Sequence, residues 1–242
     1  MITISSTNGQ PLPIAILAGG LATRLRPLTE KIPKALVEIQ GEPFLAHQLR
    51  LLKRGGLERA VLCVGYLGEK VRAFAGDGHR FGLEIEYSFD GEQLLGTGGA
   101  VRHALPLLGH AFFVIYGDSY LPCSYSDVAW AFAQSGKAGL MTVFRNEGQW
   151  DSSNVEFSGG VIVRYDKANK TSAMHHIDYG LGVFRSDLFA SLPEGRPLDL
   201  ADVYRDLLRR DELAAYEVPD RFYEIGSPAG IEELETYLSF GA

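Results

Sequence analysis

Two hydrophobic periods alternate along the first half of the chain. Apolar runs and strict apolar–polar alternation are typical of strands, whereas apolar residues three and four apart are typical of amphipathic helices. The first pattern predicts strands at residues 14–17, 60–65, 85–89 and 112–116. The second predicts helices at residues 44–54, 69–75 and 100–108. This alternation predicts parallel strands joined by helices.

The second half of the chain has more predicted strands and fewer helices. Its strands are predicted at residues 139–145, 155–157, 161–165, 181–184 and 214–218. One helix is predicted at residues 198–209, and a last helix begins at Pro228 with Ser227 as its N-cap. No repeat of fixed period occurs. We therefore predict one continuous α/β fold with three α/β/α layers around a mixed, mainly parallel central sheet.

Composition and charge narrow the function classes. The 242 residues are 46% hydrophobic and 22% charged, which is ordinary for a globular protein. The net charge of -7 argues against a nucleic-acid partner. The longest apolar run, residues 111–116, is far shorter than the roughly 20 residues that cross a bilayer. Residues 1–10 show no secretory signal, and Cys63 and Cys123 lack a CxxC spacing, so we expect a cytoplasmic protein without a membrane partner.

The densest chemical signal follows the first predicted strand, where residues 17–29 read LAGGLATRLRPLT and Pro33-Lys34 follow. Glycines directly after a strand let backbone N–H groups approach a polyphosphate, and Arg24 and Lys34 add positive charge beside it. Neither the dinucleotide fingerprint GxGxxG nor the Walker A ending GK[ST] is present. The segment predicts an anion-binding loop, and a tight turn with two solvated cations is the alternative.

This segment is similar to the signature GGxGTRLxPLTxxxPKxL of the sugar-1-phosphate nucleotidyltransferases. The chain has Ala22 where that family has glycine. The eleven matching residues are Gly19, Gly20, Thr23, Arg24, Leu25, Pro27, Leu28, Thr29, Pro33, Lys34 and Leu36. The resemblance implies catalytic roles for Arg24 and Lys34. The residues of this segment that it implies for nucleotide binding are Leu17, Ala18, Gly19, Gly20, Thr23, Arg24 and Lys34.

Two further segments continue the resemblance. Gly96, Thr97 and Gly98 lie in a stretch that resembles the family's base-recognition segment, and Asp118 resembles its catalytic, metal-binding aspartate. Glu224 stands where the family has a second metal-binding aspartate. The implied cofactor is Mg²⁺, bound by Asp118 and Glu224. The residues alone leave other roles open: glycines that begin a helix, an aspartate that caps a turn, and a glutamate that stabilises a helix N-terminus.

A third set of residues resembles the family's elements for the sugar phosphate. These elements are an acidic residue followed by lysine, here Asp166-Lys167, and a strand with Asp178 shortly before Gly180. The resemblance implies that Lys167 contacts the phosphate and that Asp178 contacts a sugar hydroxyl, with Asn154 in the same pocket. A solvated lysine and an asparagine that forms a turn are the alternatives.

The resemblance implies a reaction in which a nucleoside triphosphate and a sugar 1-phosphate give a nucleotide-sugar and pyrophosphate. It also implies a single domain over residues 1–242, with a Rossmann-like nucleotide-binding half at about 11–125 and a sugar-phosphate-binding half at about 126–242. GTP or UTP is the favoured nucleotide, with a slight preference for GTP. The LGTGG sequence at residues 95–99 resembles heptose and mannose 1-phosphate guanylyltransferases, and residues 76–82 resemble N-acetylmuramate 1-phosphate uridylyltransferases.

Three other functions remain as alternatives. A catalytically inactive regulatory protein that binds nucleotide-sugars would explain Ala22 and Glu224. A metal-dependent glycosyltransferase would usually have a DxD pair, whereas Asp118 is followed by Ser119 and Tyr120. A dinucleotide-dependent oxidoreductase lacks support because GxGxxG is absent. The sequence leaves the oligomeric state open, and a homo-oligomer is among the options.

Overall fold

A mixed sheet of nine strands runs through the part of the chain that the structure describes. The structure is a computed structural model, and it describes residues 11–20, 25, 28–91 and 93–240. The strands, including four short ones outside the main sheet, are β1 (Ile14–Leu17), β2 (Glu38–Ile39), β3 (Glu42–Pro43), β4 (Arg59–Val64), β5 (Glu84–Phe89), β6 (Ala111–Tyr116), β7 (Ser119–Tyr120), β8 (Gly139–Arg145), β9 (Val155–Ser158), β10 (Val161–Tyr165), β11 (His176–Arg185), β12 (Leu213–Val218) and β13 (Tyr223–Glu224).

Helices cover both faces of the sheet. The α-helices are α1 (Phe44–Arg54), α2 (Gly68–Ala75), α3 (Gly96–Leu108), α4 (Tyr125–Ser135), α5 (Ser186–Ala190), α6 (Leu200–Arg209) and α7 (Pro228–Ser239). Short 3₁₀ turns lie at Leu28–Glu30, Lys34–Leu36 and His79–Phe81.

The sheet has a parallel part and an antiparallel part. Strands β5, β4, β1 and β6 are neighbours in that order and run parallel, so Leu17 lies beside Cys63 on one side and Tyr116 on the other. Strand β11 joins β6 in the antiparallel direction and continues the sheet to β9 and β10 and, through β8, to β12. Because parallel strands end at one edge, the segments after β1, β5 and β6 meet there.

The side chains of β1 show why the fold has three layers. Successive side chains of a strand point to opposite faces. Ile14 and Ile16 belong to a core on one face, where helices α1, α2 and α4 pack. Ala15 belongs to a second core on the other face, where α3, α5 and α6 pack. All three residues are fully buried, so β1 lies between two helical layers.

A third, smaller core fixes the C-terminal helix near the carboxyl edge of the sheet. Ile39, Phe44, Tyr120, Ile225 and Leu234 are buried together there. This core joins α1 and α7 to the short strands β7 and β13, which pair with each other. The strand pair that follows Asp118 is therefore held by packing from two helices.

The structure confirms the α/β prediction and adds elements that the sequence did not predict. The predicted strands and helices are present, and Ser227 caps α7 by accepting a hydrogen bond from Gly230 N. Helices α4 and α5 and the short pairs β2–β3 and β7–β13 were not predicted. Strand β11 begins at His176, well before its predicted start at residue 181. The earlier residues were missed because the register is irregular between Asp178 and Gly182 and the apolar pattern is broken there.

Candidate active site

A pocket of about 380 Å³, which we call the first pocket, lies at the carboxyl edge of the parallel strands. Residues from the ends of β1, β5 and β6 and from the start of α3 line it. Among these are the predicted nucleotide-binding residues 17–20, Lys34, Gly96 and Thr97, together with the predicted metal-binding residue Asp118. The predicted residues Thr23 and Arg24 lie outside the described residues.

Glycines allow the strand ends to approach each other closely around the first pocket. A Cβ added at Gly117 would lie 2.8 Å from the carbonyl oxygen of Leu17, to which the Gly117 amide donates a hydrogen bond. A Cβ at Gly19 would lie 3.1 Å from Gly65 N and 3.3 Å from a carboxylate oxygen of Asp90. At Gly20 no atom of the described residues lies within 4 Å of this position. Gly19 and Gly117 thus allow backbone segments to pack closely, whereas a side chain at Gly20 would meet no such segment among the described residues.

The start of α3 divides the three predicted base-recognition residues between two roles. Gly96 has a φ of +71° and lines the pocket with Thr97. The Thr97 hydroxyl donates to Asp199 and accepts from Leu200 N. Gly98, however, lines neither pocket described here: its amide donates to the carbonyl of Leu198, and a Cβ there would lie 2.9 Å from the Leu198 side chain. Gly98 therefore allows close packing between helix and loop, and its contact with the nucleotide stays a prediction.

Lys34 and Asp118 form an ion pair inside the first pocket. Their side chains are only 15% and 26% exposed, so both charges are partly shielded from solvent. The carbonyl of Asp118 accepts a hydrogen bond from Ile225 N at 3.0 Å. Strand pairing then places Glu224 opposite Ser119, next to Asp118 along the chain. The fold thus brings together the two acidic residues that were predicted for the metal.

A buried glutamine holds the turn that carries Asp118. Gln48 on α1 is fully buried, and its Nε2 donates to the carbonyls of Tyr116 and Ser119 at 3.0 and 2.7 Å. These carbonyls lie on either side of Gly117-Asp118. Since buried polar groups are costly without partners, these bonds fix the path of the turn. The sequence analysis missed Gln48, because a polar residue on the inner face of a helix interrupts the apolar pattern without indicating its partner.

A second pocket, of about 240 Å³, adjoins the first at Tyr116, which lines both. The predicted sugar-phosphate residues Asn154, Lys167, Asp178 and Gly180 all line the second pocket, as does Glu224. Strand β11 supplies Asp178 and Gly180, and Gly180 has a φ of +96°. Asp178 still pairs with Val143 of β8, whereas Gly180 lies in the stretch between Asp178 and Gly182 where the register is irregular.

Asp178 is almost completely buried in the second pocket, with 5% of its side chain exposed. Its carboxylate accepts from the Tyr165 hydroxyl at 3.1 Å and from Gly180 N at 3.1 Å, and it lies 3.9 Å from the Lys167 ammonium. Burial raises the pKa of Asp178, and the charge of Lys167 opposes that shift. The Asn154 side chain accepts from Asp178 N at 2.9 Å and so positions this residue.

Carboxylates surround the junction of the two pockets. Burial, and then the nearby charges of Asp178, Asp199 and Asp118, raise the pKa of the Tyr116 hydroxyl well above its ordinary value. A junction of this kind favours the binding of cations. Within the described residues, no group of three or more His, Cys, Asp or Glu side chains could hold a metal ion. Asp118 and Glu224 fit instead a cation that takes one or two carboxylates and completes its coordination with phosphate and water, as Mg²⁺ does.

Asp90 is a further charged residue in the first pocket that the sequence analysis did not single out. It follows β5, is half-buried, and lies beside Gly19 and Gly65. Within the described residues, its carboxylate accepts one hydrogen bond, from Leu95 N at 3.4 Å, and burial raises its pKa. The same rule that pointed to Asp118, an acidic residue directly after a strand of the parallel sheet, would have found Asp90.

The comparisons with known proteins agree with this geometry. Residues 14–236 match the family described as Nucleotidyl transferase. The chain is 28% identical to the N-acetylmuramate alpha-1-phosphate uridylyltransferase of Neisseria meningitidis, over 91% of this chain and 95% of that protein. It is 30% identical to the mannose-1-phosphate guanylyltransferase catalytic subunit beta of Danio rerio, over 88% of this chain and 61% of that protein.

The fold is also that of a known structure. HddC from Yersinia pseudotuberculosis matches with a TM-score of 0.79 and 21% identity, over 94% of this chain and 99% of that one. The predicted α/β class and its mixed sheet are thereby confirmed. Among the described residues, no helix has the length and apolar character needed to cross a membrane.

Proposed function

Because the chain belongs to the nucleotidyl transferase family, we propose that it transfers a nucleotidyl group from a nucleoside triphosphate to a sugar 1-phosphate. The observation that carries this proposal is the pair of pockets that meet at Tyr116, with Lys34 and Asp118 in the first and Lys167 and Glu224 in the second. Two anionic substrates in these pockets would meet at the junction. The halves at about 11–125 and 126–242 would each supply most of one pocket.

The reaction is a displacement at the α-phosphorus of the nucleotide. A phosphate oxygen of the sugar phosphate forms the new bond to that phosphorus, the bond to the bridging oxygen of the β-phosphate breaks, and pyrophosphate leaves with the electron pair. The sugar phosphate is largely dianionic near neutral pH, because its second pKa is about 6, so no side chain has to remove a proton. The protein's task is to orient the two substrates and neutralise their charge.

The residues of the two pockets divide this task. The amides of residues 17–20, together with Thr23 and Arg24, would bind the triphosphate, and Gly96 and Thr97 would border the nucleoside. Lys34 would exchange its pairing with Asp118 for a phosphate oxygen when nucleotide binds. Asn154, Lys167, Asp178 and Gly180 would bind the sugar phosphate. Arg24, Lys34 and Asp118 are the proposed catalytic residues.

Asp118 and Glu224 are the proposed ligands of Mg²⁺, which when bound would supply positive charge to the reacting phosphates. The carboxylate of Asp118 pairs with the ammonium of Lys34, and Mg²⁺ would take the place of that positive charge. The glutamate that replaces the expected aspartate at 224 lies on β13 directly opposite Ser119, so it still reaches the same region.

For the base, we propose guanine, and Asp90 is the reason. A carboxylate accepts two adjacent N–H donors, and guanine presents N1–H and the N2 amino group side by side. Uracil presents one N–H between two carbonyl oxygens, which a carboxylate repels. Asp90 is half-buried in the first pocket, and from the described residues its carboxylate accepts a single long hydrogen bond, so its acceptor capacity is largely unused. UTP is the second candidate, because the Neisseria meningitidis relative is named as a uridylyltransferase.

The test is pyrophosphate release with Mg²⁺ over a grid of GTP, UTP, dTTP and CTP against glucose, mannose, heptose, N-acetylglucosamine and N-acetylmuramate 1-phosphates. We expect activity with GTP. Asp90→Asn should lower kcat/KM for GTP roughly 10- to 100-fold and leave that for UTP unchanged or higher. An unchanged GTP-to-UTP ratio would remove Asp90 from base selection. Nucleotide binding with a silent grid would instead support the regulatory-protein alternative.

A cytoplasmic location belongs to this proposal. Both cysteines are unpaired, and burial raises the pKa of the Cys63 and Cys123 thiols to about 12, so they are unreactive in a reducing compartment. A homo-oligomer stays a prediction, which the molar mass in solution would test.

A further inference from the structure

The turn that follows β10 presents two lysines to the second pocket. Its first residue, Asp166, accepts hydrogen bonds from Ala168 N at 2.9 Å and Asn169 N at 2.8 Å, and from the Asn169 side chain. These bonds lower the pKa of Asp166 to about 2. The carboxylate of Asp166 therefore binds backbone amides of its own turn, and the turn is ordered before any ligand binds.

Lys167 and Lys170 both line the second pocket from this turn, but their surroundings differ. Lys167 lies 3.9 Å from the carboxylate of Asp178 and above the rings of Tyr116 and Tyr165, at 5.7 and 5.9 Å from their centres. Lys170 has neither a hydrogen bond nor an ion pair with any residue that the structure describes. The charge of Lys167 is thus partly balanced inside the protein, whereas that of Lys170 is available to a ligand.

We propose that Lys170 is a second phosphate-binding lysine, which binds the phosphate of the sugar 1-phosphate together with Lys167. This inference rests on the proposed function and assigns a residue that neither the sequence motifs nor the resemblance included. The other charged residues that line the second pocket are carboxylates, Asp151, Asp178 and Glu224. Even with Glu224 bound to Mg²⁺, a dianionic phosphate without Lys170 would face two carboxylates and one lysine that already lies near Asp178.

The fixed turn explains how a solvent-exposed lysine can contribute to affinity. A long side chain on a mobile loop loses much conformational freedom on binding. Here the backbone from 166 to 169 is already ordered by Asp166, so only the side chain of Lys170 has to be ordered. Because little conformational entropy is lost, most of the free energy of a charge-assisted hydrogen bond to phosphate contributes to affinity.

The experiment compares Lys170→Gln with the unsubstituted protein by calorimetric titration of mannose, N-acetylglucosamine and N-acetylmuramate 1-phosphates. We expect Kd to rise about tenfold for every sugar 1-phosphate that the protein binds, with KM for the nucleotide changed by less than about twofold. Lys170→Arg should restore most of the affinity. Lys53→Gln, which removes one exposed lysine of α1 outside both pockets, is the charge-matched control and should change nothing.

Two results would overturn the assignment while leaving the proposed function intact. The first is an unchanged Kd in Lys170→Gln for a protein that still releases pyrophosphate. The second is weaker binding of N-acetylmuramate 1-phosphate alone, since that sugar carries a carboxylate and Lys170 would then bind the acid group rather than the phosphate. If the unsubstituted protein binds none of the three sugar phosphates, both the acceptor class and the role of Lys170 fall.

Discussion

The first and second pockets are built in different ways although they share Tyr116. The first lies where parallel strands end, and its walls depend on glycines at Gly19 and Gly117 that let backbone segments approach. The second lies where β11 leaves its regular register, and side chains such as Asp178 and Lys167 from separate segments make up its polar wall. Backbone geometry defines one pocket, and side-chain charge defines the other.

This difference determines what a substitution does in each region. In the first pocket, where backbone segments form the walls, an added methyl group disturbs the packing of those segments or the access of the ligand. In a pocket of charged side chains, a substitution changes affinity through one interaction at a time, and its effect depends on pH. The ion pair of Lys34 and Asp118 depends on both effects. Its interaction is between charges, but the backbone turn at Gly117 places the carboxylate.

The largest expected effect is at the junction. Asp118→Ala should lower the rate of pyrophosphate release on the order of 10²-fold or more, because an electrostatic stabiliser of the transferred phosphate is lost. Nucleotide binding, measured by titration in the absence of metal, should persist, since Lys34 would remain free to bind phosphate. Turnover close to that of the unsubstituted protein would remove Asp118 from the mechanism.

Gln48→Leu should have the next largest effect. It leaves the carbonyls of Tyr116 and Ser119 without their buried partner, at a cost of about 1–3 kcal/mol in the free energy of unfolding. The turn that carries Asp118 would shift, so kcat should fall about tenfold or more and the Mg²⁺ concentration for half-maximal activity should rise. The measurements are chemical unfolding and activity over a series of Mg²⁺ concentrations.

Val203→Ala is the control for Gln48. Val203 is buried on α6 in the second core, away from the turn, so its truncation should lower stability without changing the Mg²⁺ dependence. If Gln48→Leu behaves in the same way as Val203→Ala, then Gln48 is only structural.

Two glycine substitutions separate packing beside the first pocket from access to it. Gly98→Ala puts a Cβ 2.9 Å from Leu198 and should cost about 1–3 kcal/mol of stability with little change in KM for the nucleotide. Gly20→Ala meets no atom of the described residues within 4 Å and should keep its stability but raise that KM, since the methyl group enters the space expected for phosphate. Thermal unfolding and steady-state kinetics together test the pair, and a raised KM in Gly98→Ala would support its predicted role in binding.

The smallest expected effect concerns two aspartates of the second pocket region. The pKa of Asp178 is raised by burial, so its contribution to stability is greatest below the ordinary pKa of an aspartate and is lost as pH rises through the folded-state value. Asp178→Asn should therefore raise Tm slightly at pH 7 and weaken sugar-phosphate binding.

The pKa of Asp166 is lowered to about 2, so its contribution to stability is present above the ordinary pKa of an aspartate and is lost as pH falls toward 2.

Asp166→Asn should accordingly lower Tm at pH 7, with the opposite sign to Asp178→Asn. Both differences should shrink in acid, below an ordinary aspartate pKa of about 3.9. Thermal melts between about pH 3 and pH 7 check the prediction. Two shifts of the same sign at pH 7 would contradict the contrast between the buried and the turn-forming carboxylate.

Much of the fold could be predicted from the sequence because its signals are local. The apolar run of β6 and the helical spacing of α1 each lie within a dozen residues, and both predictions are confirmed. Helix α4 was missed although Ser124 caps it, because the small and aromatic residues that follow show no clear helical spacing. The start of β11 was missed because its pocket-facing residues are polar and its register is irregular.

In the candidate site, too, the residues in local sequence patterns could be predicted and those that depend on distant contacts could not. Residues 17–20 with Lys34, and Asp118 after β6, stand in recognisable local patterns, and the structure places them in one pocket. Gln48 and Lys170 have no such pattern, because their roles depend on partners that are distant in the sequence or on a ligand. Gly98 stands in such a pattern as well, but its close packing against the loop at Leu198 could not be predicted from it.

By itself, the sequence determined the strands of the main sheet, most of the helices, the glycine-rich segment after β1 and the identity of the charged residues, since each depends on neighbours along the chain. Only the tertiary structure decided that β7 pairs with β13 and brings Glu224 beside Asp118. It also decided that Gln48 holds their turn and that both pockets meet at Tyr116. These features depend on contacts between segments tens to more than a hundred residues apart, which packing of the whole chain creates and no local pattern encodes.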